Sequence, residues 1–539
     1  MRSLRLASVF MLIVTFVTFS QLQAQDKKYF ISPRGNDDND GLSPDRAWQT
    51  LGKINAMNFK PGDMVLFDAA AVFKGTLKIG VDDSGSLGKP VVFTSYGGGK
   101  TTINAGGSSG MLVVNASNIV LANIKVVGDG VEKNNGSGIF LYAEDSLHAP
   151  HNIRISNCEA TGFHQYGILI GCSDNIDLKG YEQVNVEDCI ATNNGEAGIA
   201  SYGSVFGFQH KNFKVTGCKA YNNSGIVTKT TGHSGNGIVM GEVDGLLIDH
   251  CTAFENGADN RCEAGGPVGI WVWMCKKAVI QYCVAHDNHT GSTKDGGGFD
   301  IDGGSSDCVM QFNYSYNNDG AGYLLAEYGA LFPFSNNVVR FNVSENDGRK
   351  NNYGAIAVWG ASEDYKVTNS KVYNNTVYTD DRNISSGTPA CITLMGVQFD
   401  NVLLENNIFS TKGVVNFINA DTSVGVSKLL LKHNVYYSYS GNYNFKYGER
   451  KFSTINAWLG ANKQQEDNGQ SLMQVNPFFT GESKFPVNHF DPVAYSLLPK
   501  SSLRKNPYQI TGNINAGMRD IAGNTIPSDD LLFPGACMK

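Results

Sequence analysis

Along most of this chain apolar and polar residues alternate in short bursts, and the bursts recur about every thirty residues. Aligned on one position, the phrase reads NIRISNCEA around Cys158, VNVEDCIA around Cys189 and FKVTGCKA around Cys218. It continues as LLIDHCTA at Cys251, VIQYCVAH at Cys283, VMQFNYSY at Asn313 and VVRFNVSE at Asn342. VYNNTVY at Asn375, LLENNIFS at Asn407 and LLLKHNVYY at Asn434 complete the series. Period-two alternation rich in β-branched residues predicts a strand with one face inward. Between the phrases stand Asn, Gly, Asp and Ser, with no helical pattern. Self-similarity at this period means stacked units that bury a core only together. The expected fold is all-β, a parallel β-helix over residues 65–440.

The repeat changes the reading of the cysteines. Eleven in a chain of 539 residues would ordinarily suggest a disulfide framework. Five of them (Cys158, Cys189, Cys218, Cys251 and Cys283) share one repeat position, which Asn takes over from Asn313 onward. Stacked coils hold equivalent Cβ atoms about 4.8 Å apart, beyond the ~3.8 Å that a disulfide prefers. A buried column of free thiols continuing as an asparagine ladder is therefore expected. Cys172, Cys262, Cys275, Cys308 and Cys391 fall elsewhere, and a bridged pair among them stays open.

Outside the coils the pattern changes character. Arg2 and Arg5 precede an apolar run from Ala7 to Phe19 and then Leu22-Gln23-Ala24, the layout of a signal peptide over residues 1–24. The run is shorter than the ~20 residues of a membrane span, so a secreted or periplasmic protein with no membrane span is expected. Residues 25–64 read as a cap that covers the first coil. Within the cap Asn36 to Gly41 reads as a turn rather than a calcium loop, because no downstream Glu completes an EF-hand. After residue 440 the regularity fails, and residues 441–539 read as an irregular extension packing on the helix. A net charge of −7 argues against nucleic acid as a partner. No oligomeric state follows from these patterns.

A second strand in each repeat carries the candidate chemistry. Its versions are Gly269-Ile-Trp-Val-Trp273, Gly298-Phe-Asp-Ile-Asp302, Gly322-Tyr-Leu-Leu-Ala326 and Ala355-Ile-Ala-Val-Trp359. Alternation sends Ile270, Val272, Phe299, Ile301, Tyr323, Leu325, Ile356 and Val358 to the core. Trp271, Trp273, Asp300, Asp302, Leu324, Ala326, Ala357 and Trp359 then face outward. Tryptophans flanking carboxylates suit a sugar-cleaving groove. Asp300 and Asp302, two residues apart on a strand, have Cβ atoms about 6.5–7 Å apart, and glycoside hydrolysis uses carboxyl pairs about 5–9.5 Å apart. Asp295, in the preceding turn, can fold over Asp302. Glu327 one coil later completes the expected catalytic set, with His286 and His289 joining the three tryptophans in substrate binding. Asp295, Asp307 and Asp319 also suit plain turns. No metal site or other cofactor is expected, with calcium held by the oxygen cluster as the alternative.

The opening YFISPRGNDDNDG, the Asn-rich coils and the closing AYSLLPKSSLRKN and RDIAGN resemble secreted right-handed parallel β-helix proteins of carbohydrate-degrading bacteria. Within that group DGGGFDIDGG is similar to the acidic strand of lacto-N-biosidase-like glycoside hydrolases. The resemblance implies Asp295 and Asp302 as the catalytic pair. The Asn-Thr-Asp and Gly-His-Gly pattern of polygalacturonases is absent from the sequence.

Three function classes remain. The first is a glycoside hydrolase acting on a carbohydrate substrate through paired carboxylates. The second is a polysaccharide lyase using a cation and one of Lys294, Arg261, Lys276 or Arg340 as base. The third is a non-catalytic glycan-binding surface protein. Fold alone separates none of them.

Overall fold

The structure is a computed structural model describing residues 26–538, apart from 145–147, 176, 205, 397, 423–427, 468–470, 506, 511–516 and 528–530. The leader read over residues 1–24 lies outside the described residues. The chain winds into a right-handed parallel β-helix of about twelve coils, as the repeat predicts. Each complete coil contributes one strand to each of three sheets, and strands at the two ends bring each sheet to fourteen.

The repeated phrase proves to be two strands and a corner rather than one strand. In the first complete example His151–Ser156 lies in one sheet and Glu159–Thr161 in the next. Asn157 stands between them at φ +49°. The equivalents Asp188, Gly217, His250, Tyr282, Phe312, Phe341, Asn374, Asn406 and His433 all have positive φ. One residue in the left-handed region turns the backbone sharply, which Asn, Asp and Gly tolerate best. The following residue is thereby driven inward, and this is the position of the cysteine column.

All eleven cysteines are free and buried, so no pair among the five outliers is bridged. From Asn313 the column becomes an amide chain. Each side-chain nitrogen donates to the next Oδ1: Asn313 to Asn342 at 3.1 Å, Asn342 to Asn375 at 3.0 Å, Asn375 to Asn407 at 2.9 Å and Asn407 to Asn434 at 2.9 Å. A second ladder, which the sequence reading missed, lies five residues further along. Asn194, Asn223, Asn256, Asn288 and Asn318 are linked in the same way and end on Asp347. Glycine opens the third strand of these coils because a Cβ there would strike the ladder. At Gly298 it would collide with Ser315 Oγ and lie 3.0 Å from Asn318 Nδ2.

The segment before residue 65 is partly built into the helix. Lys28–Ile31 pairs with Met64–Asp68 as the first strand of its sheet. Trp48, Leu51, Ile54 and Phe59 are buried against the first coils. Two carboxylates of the Asn36–Gly41 loop are spent on the chain itself. Asp37 accepts from the Gln49 and Thr50 amides and the Thr50 hydroxyl, and Asp40 from Leu42 N–H and Arg46.

The coils run past residue 440. Asn444–Tyr447 continues its sheet and Leu472–Met473 another. Arg450–Phe452 then turns back antiparallel on Asn444–Tyr447. Helix Ile455–Asn462 covers this end, with Trp458 stacked on Phe445 at 4.7 Å. The rest returns along the flank. Phe479, Phe485, Tyr495 and Leu497 pack on Tyr314, Val343 and Tyr378, while Ile510, Ile526 and Leu532 pack on Phe312 and Phe341.

Candidate active site

The third sheet presents four successive strands, Val268–Trp273, Gly297–Asp302, Tyr323–Glu327 and Gly354–Gly360. Their register pairs Trp271 with Asp300 and Trp273 with Asp302, then Leu324 with Ala357 and Ala326 with Trp359. The residues read as inward are all buried. The outward ones, apart from fully buried Ala357, line a cavity of about 490 Å³ together with Lys294, Asp295, His233, Tyr328, Tyr353 and Met395. The floor is apolar apart from the carboxylates, which therefore sit in a poorly solvated place.

Asp295 stands just before the acidic strand at φ +45°. Its Oδ2 accepts from Gly266 N–H at 2.9 Å and its Oδ1 from Tyr353 O–H at 2.8 Å. The Asp295 N–H in turn donates to the same phenol oxygen at 3.2 Å. Burial raises its pKa on balance, against the opposing pull of these two donors and Lys294. Asp300 is only 3% exposed, and its Oδ1 accepts no hydrogen bond from the described residues. Burial first, and then the charges of Asp302 and Asp295, push its carboxyl well above the usual range. Asp302 receives one bond, from Gly303 N–H at 2.8 Å. Burial is again the main cause of its strongly raised pKa, with Asp295 and Glu327 adding repulsion. A carboxyl held by two donors thus stands beside two that have fewer, the arrangement that separates an ionised member from protonated ones.

Trp271 is 5% exposed and serves as a fixed wall. Its Nε1 donates to Asn236 Oδ1 at 3.0 Å, and His233 meets its ring edge-on at 5.1 Å. Burial lowers His233 to a pKa of about 4, so its imidazole is neutral and Nδ1 takes a bond from Asn236 Nδ2 at 2.8 Å. Trp273 is half-buried and lies across Gly241, where any Cβ would enter its ring. Trp359 is also half-buried and packs beside Ala326 and Leu324. Tyr328 lies over Gly303 and closes the side next to Asp302.

Three of the expected site residues lie elsewhere. Glu327 shares the strand parity of Tyr323 and Leu325, so it is buried away from the groove. Its oxygens accept from Gly304, Gly329 and Ala330 N–H, pinning the neighbouring loop. His286 belongs to another sheet, stacked between Phe254 and Tyr316 at 4.9 and 4.6 Å. His289 sits in the turn behind Asp295, with Nδ1 3.5 Å from Asp319. Asp295, Asp300, Asp302 and the three tryptophans do come together. His233, Tyr328 and Tyr353 were missed. Among the described residues, no group of three or more His, Cys, Asp or Glu side chains is arranged to hold a metal ion.

The raised carboxyls carry a stability consequence. An acid whose folded pKa exceeds its unfolded value near 3.9 favours the fold at low pH and loses that contribution as pH rises through the folded value. Asp300→Asn is therefore expected to raise the melting temperature at pH 8 and to leave it nearly unchanged at pH 4. Thermal melts across that range check it, and equal shifts at both pH values would contradict the burial argument.

The chain's relatives agree with this architecture. A family profile described as a right handed beta helix region matches residues 146–339 and 228–377. The sequence is similar to a lacto-N-biosidase of Bifidobacterium longum subsp. longum, 23% identical over a 448-residue alignment covering 65% of this chain and 27% of that protein. The chain thus spans about a quarter of that relative's length. Among solved structures, the selenomethionine form of a lacto-N-biosidase from Eubacterium ramulus superposes with a TM-score of 0.53 at 20% identity. That match covers 67% of this chain and 66% of the other. The native form of the same protein gives 0.52 at 19% identity. These likenesses show the fold.

Proposed function

We propose that this chain is an exported glycoside hydrolase whose groove cleaves a poly- or oligosaccharide between Asp295 and Asp302. The observation that carries the reading is the convergence of these carboxyls in an aromatic-walled cavity of about 490 Å³. Asp302, kept protonated by burial, donates its proton to the leaving glycosidic oxygen. Asp295, held by Gly266 N–H and Tyr353 O–H, is the ionised partner facing the oxocarbenium-like centre, where water supplies the oxygen that replaces the leaving group and passes its proton to a carboxylate of the pair. Asp300, at the floor, offers its unpaired Oδ1 to a sugar hydroxyl. Half-buried Trp273 and Trp359 supply ring faces for pyranose stacking. The likeness to lacto-N-biosidases supports the class of reaction, and the leader pattern supports export.

The basic residues weigh against a lyase. Of the four candidate bases only Lys294 lines the groove. Arg340 is buried on Gln311 and Tyr373, Arg261 folds onto the Ala258 and Asn260 carbonyls, and Lys276 lies in another sheet. Incubation with a panel of glycans, following reducing ends together with the ultraviolet absorbance of unsaturated uronates, separates the readings. New reducing ends without that absorbance are expected. An unsaturated product would identify a lyase, and no product at all a binding protein.

A further inference from the structure

Beyond Trp359 the same sheet face opens into a second basin of about 790 Å³, and Met395 lines both cavities. The register continues the Asp300 column through Leu324 and Ala357 to Thr393, Asn419 and Lys446. The character of that column changes along the way, from apolar beside the carboxylates to amide and hydroxyl in the second basin. Asn352, Thr388, Asn416 and Asn444 add further donors and acceptors around it. Lys446 faces Asp421 at 3.9 Å, which offsets its charge. The reversed strand Arg450–Phe452 brings Lys451 and Phe452 to the basin's far end and limits its length.

Asn419 gives the independent sign of a ligand. It is 6% exposed, lines the basin, and its Oδ1 accepts no hydrogen bond from the described residues. A buried acceptor left unpaired destabilises the fold unless something supplies a donor. Such a group on the floor of an open basin is suited to a donor from outside, and the lining of amides and hydroxyls matches the hydroxyls of uncharged sugars. The spacing fits as well, since one hexose unit advances along a chain by roughly the ~4.8 Å between coils.

We propose that this basin binds additional neutral sugar units of a glycan that extends from the carboxylate groove past Trp359 and Met395. The inference rests on the hydrolase reading for the identity of the groove, but its test does not need turnover. Asp302→Asn chain is titrated by calorimetry with dimers to hexamers of β-1,4-glucose, β-1,4-xylose, β-1,4-mannose and β-1,3-glucose, and with lacto-N-tetraose and lacto-N-hexaose. In at least one series affinity is expected to rise about tenfold or more with length, the equivalent of ~1.4 kcal/mol. Asn419→Ala removes the acceptor, while Asn416→Trp fills the basin from a half-buried position without disturbing the floor. Either variant, folded by circular dichroism, should abolish the gain with length and leave dimer affinity unchanged. Binding that is absent in every series, or independent of length, overturns the proposal, as does a length gain that survives Asn416→Trp. Failure of the hydrolase reading shows separately, as undiminished turnover in Asp302→Asn.

Discussion

Asp302→Asn is expected to lower turnover by about 10²–10⁴-fold, the usual worth of a positioned general acid. The substitution keeps shape and removes only the transferable proton, and the single bond from Gly303 N–H at 2.8 Å can still be accepted by the amide oxygen. Folding should therefore survive, so the loss reads as chemistry. Asp295→Asn is expected to cost as much, because it removes the charge that Gly266 and Tyr353 orient. Glu327→Gln is the contrasting case. Its oxygens are occupied by three backbone amides, so it should lower the melting temperature while reducing turnover by at most a few-fold. The measurement is kcat on a substrate identified by reducing-end release, with circular dichroism as the folding check. Near-normal turnover in folded Asp302→Asn and Asp295→Asn would remove the acidic strand from the mechanism.

The different fates of these carboxylates show what the sequence could reveal. Strand alternation is a local property, so the outward placement of Asp300 and Asp302 followed from the hydrophobic pattern alone. The same rule, applied consistently, puts Glu327 with Tyr323 and Leu325 on the inward side, and the reading that placed it in the groove overlooked that parity. The second ladder was legible too. Asn194, Asn223, Asn256, Asn288 and Asn318 keep a constant offset of five from the cysteine–asparagine column. The corners were harder, because residues as unlike as Tyr282, Phe312 and His250 adopt positive φ there, and only stacking onto neighbouring coils forces them to do so. His233 and Tyr353 were not legible. They reach the groove from connections between strands, whose lengths vary from coil to coil and which obey no repeat register.

The largest stability effect is expected from Asn375→Leu in the middle of the first ladder. Asn375 Oδ1 accepts from both Asn342 N–H and Asn342 Nδ2, and its own Nδ2 donates to Asn407 Oδ1 and to the Val339 and Tyr373 carbonyls. Leucine is close in size but cannot make any of these bonds. Two or three buried groups are left unpaired, at about 1–3 kcal/mol each, so a loss of roughly 3–6 kcal/mol is expected. Cys251→Ala in the thiol column is the control. Its sulfur reaches the Val215 and Asp249 carbonyls at a long 3.4 Å, and a sulfur-sized void costs about 1–2 kcal/mol. Asn375→Cys should recover part of the loss, because a thiol can accept the preceding amide as Cys283 does for Cys251 N–H at 3.3 Å. Denaturant titration of the three variants, with hydrogen exchange at the Lys371–Tyr373 and Thr376–Asp380 strands, tests the ordering. If Asn375→Leu proves no more costly than Cys251→Ala, the asparagines merely fill the corner, and the exchange from sulfur to amide along the column has no energetic meaning.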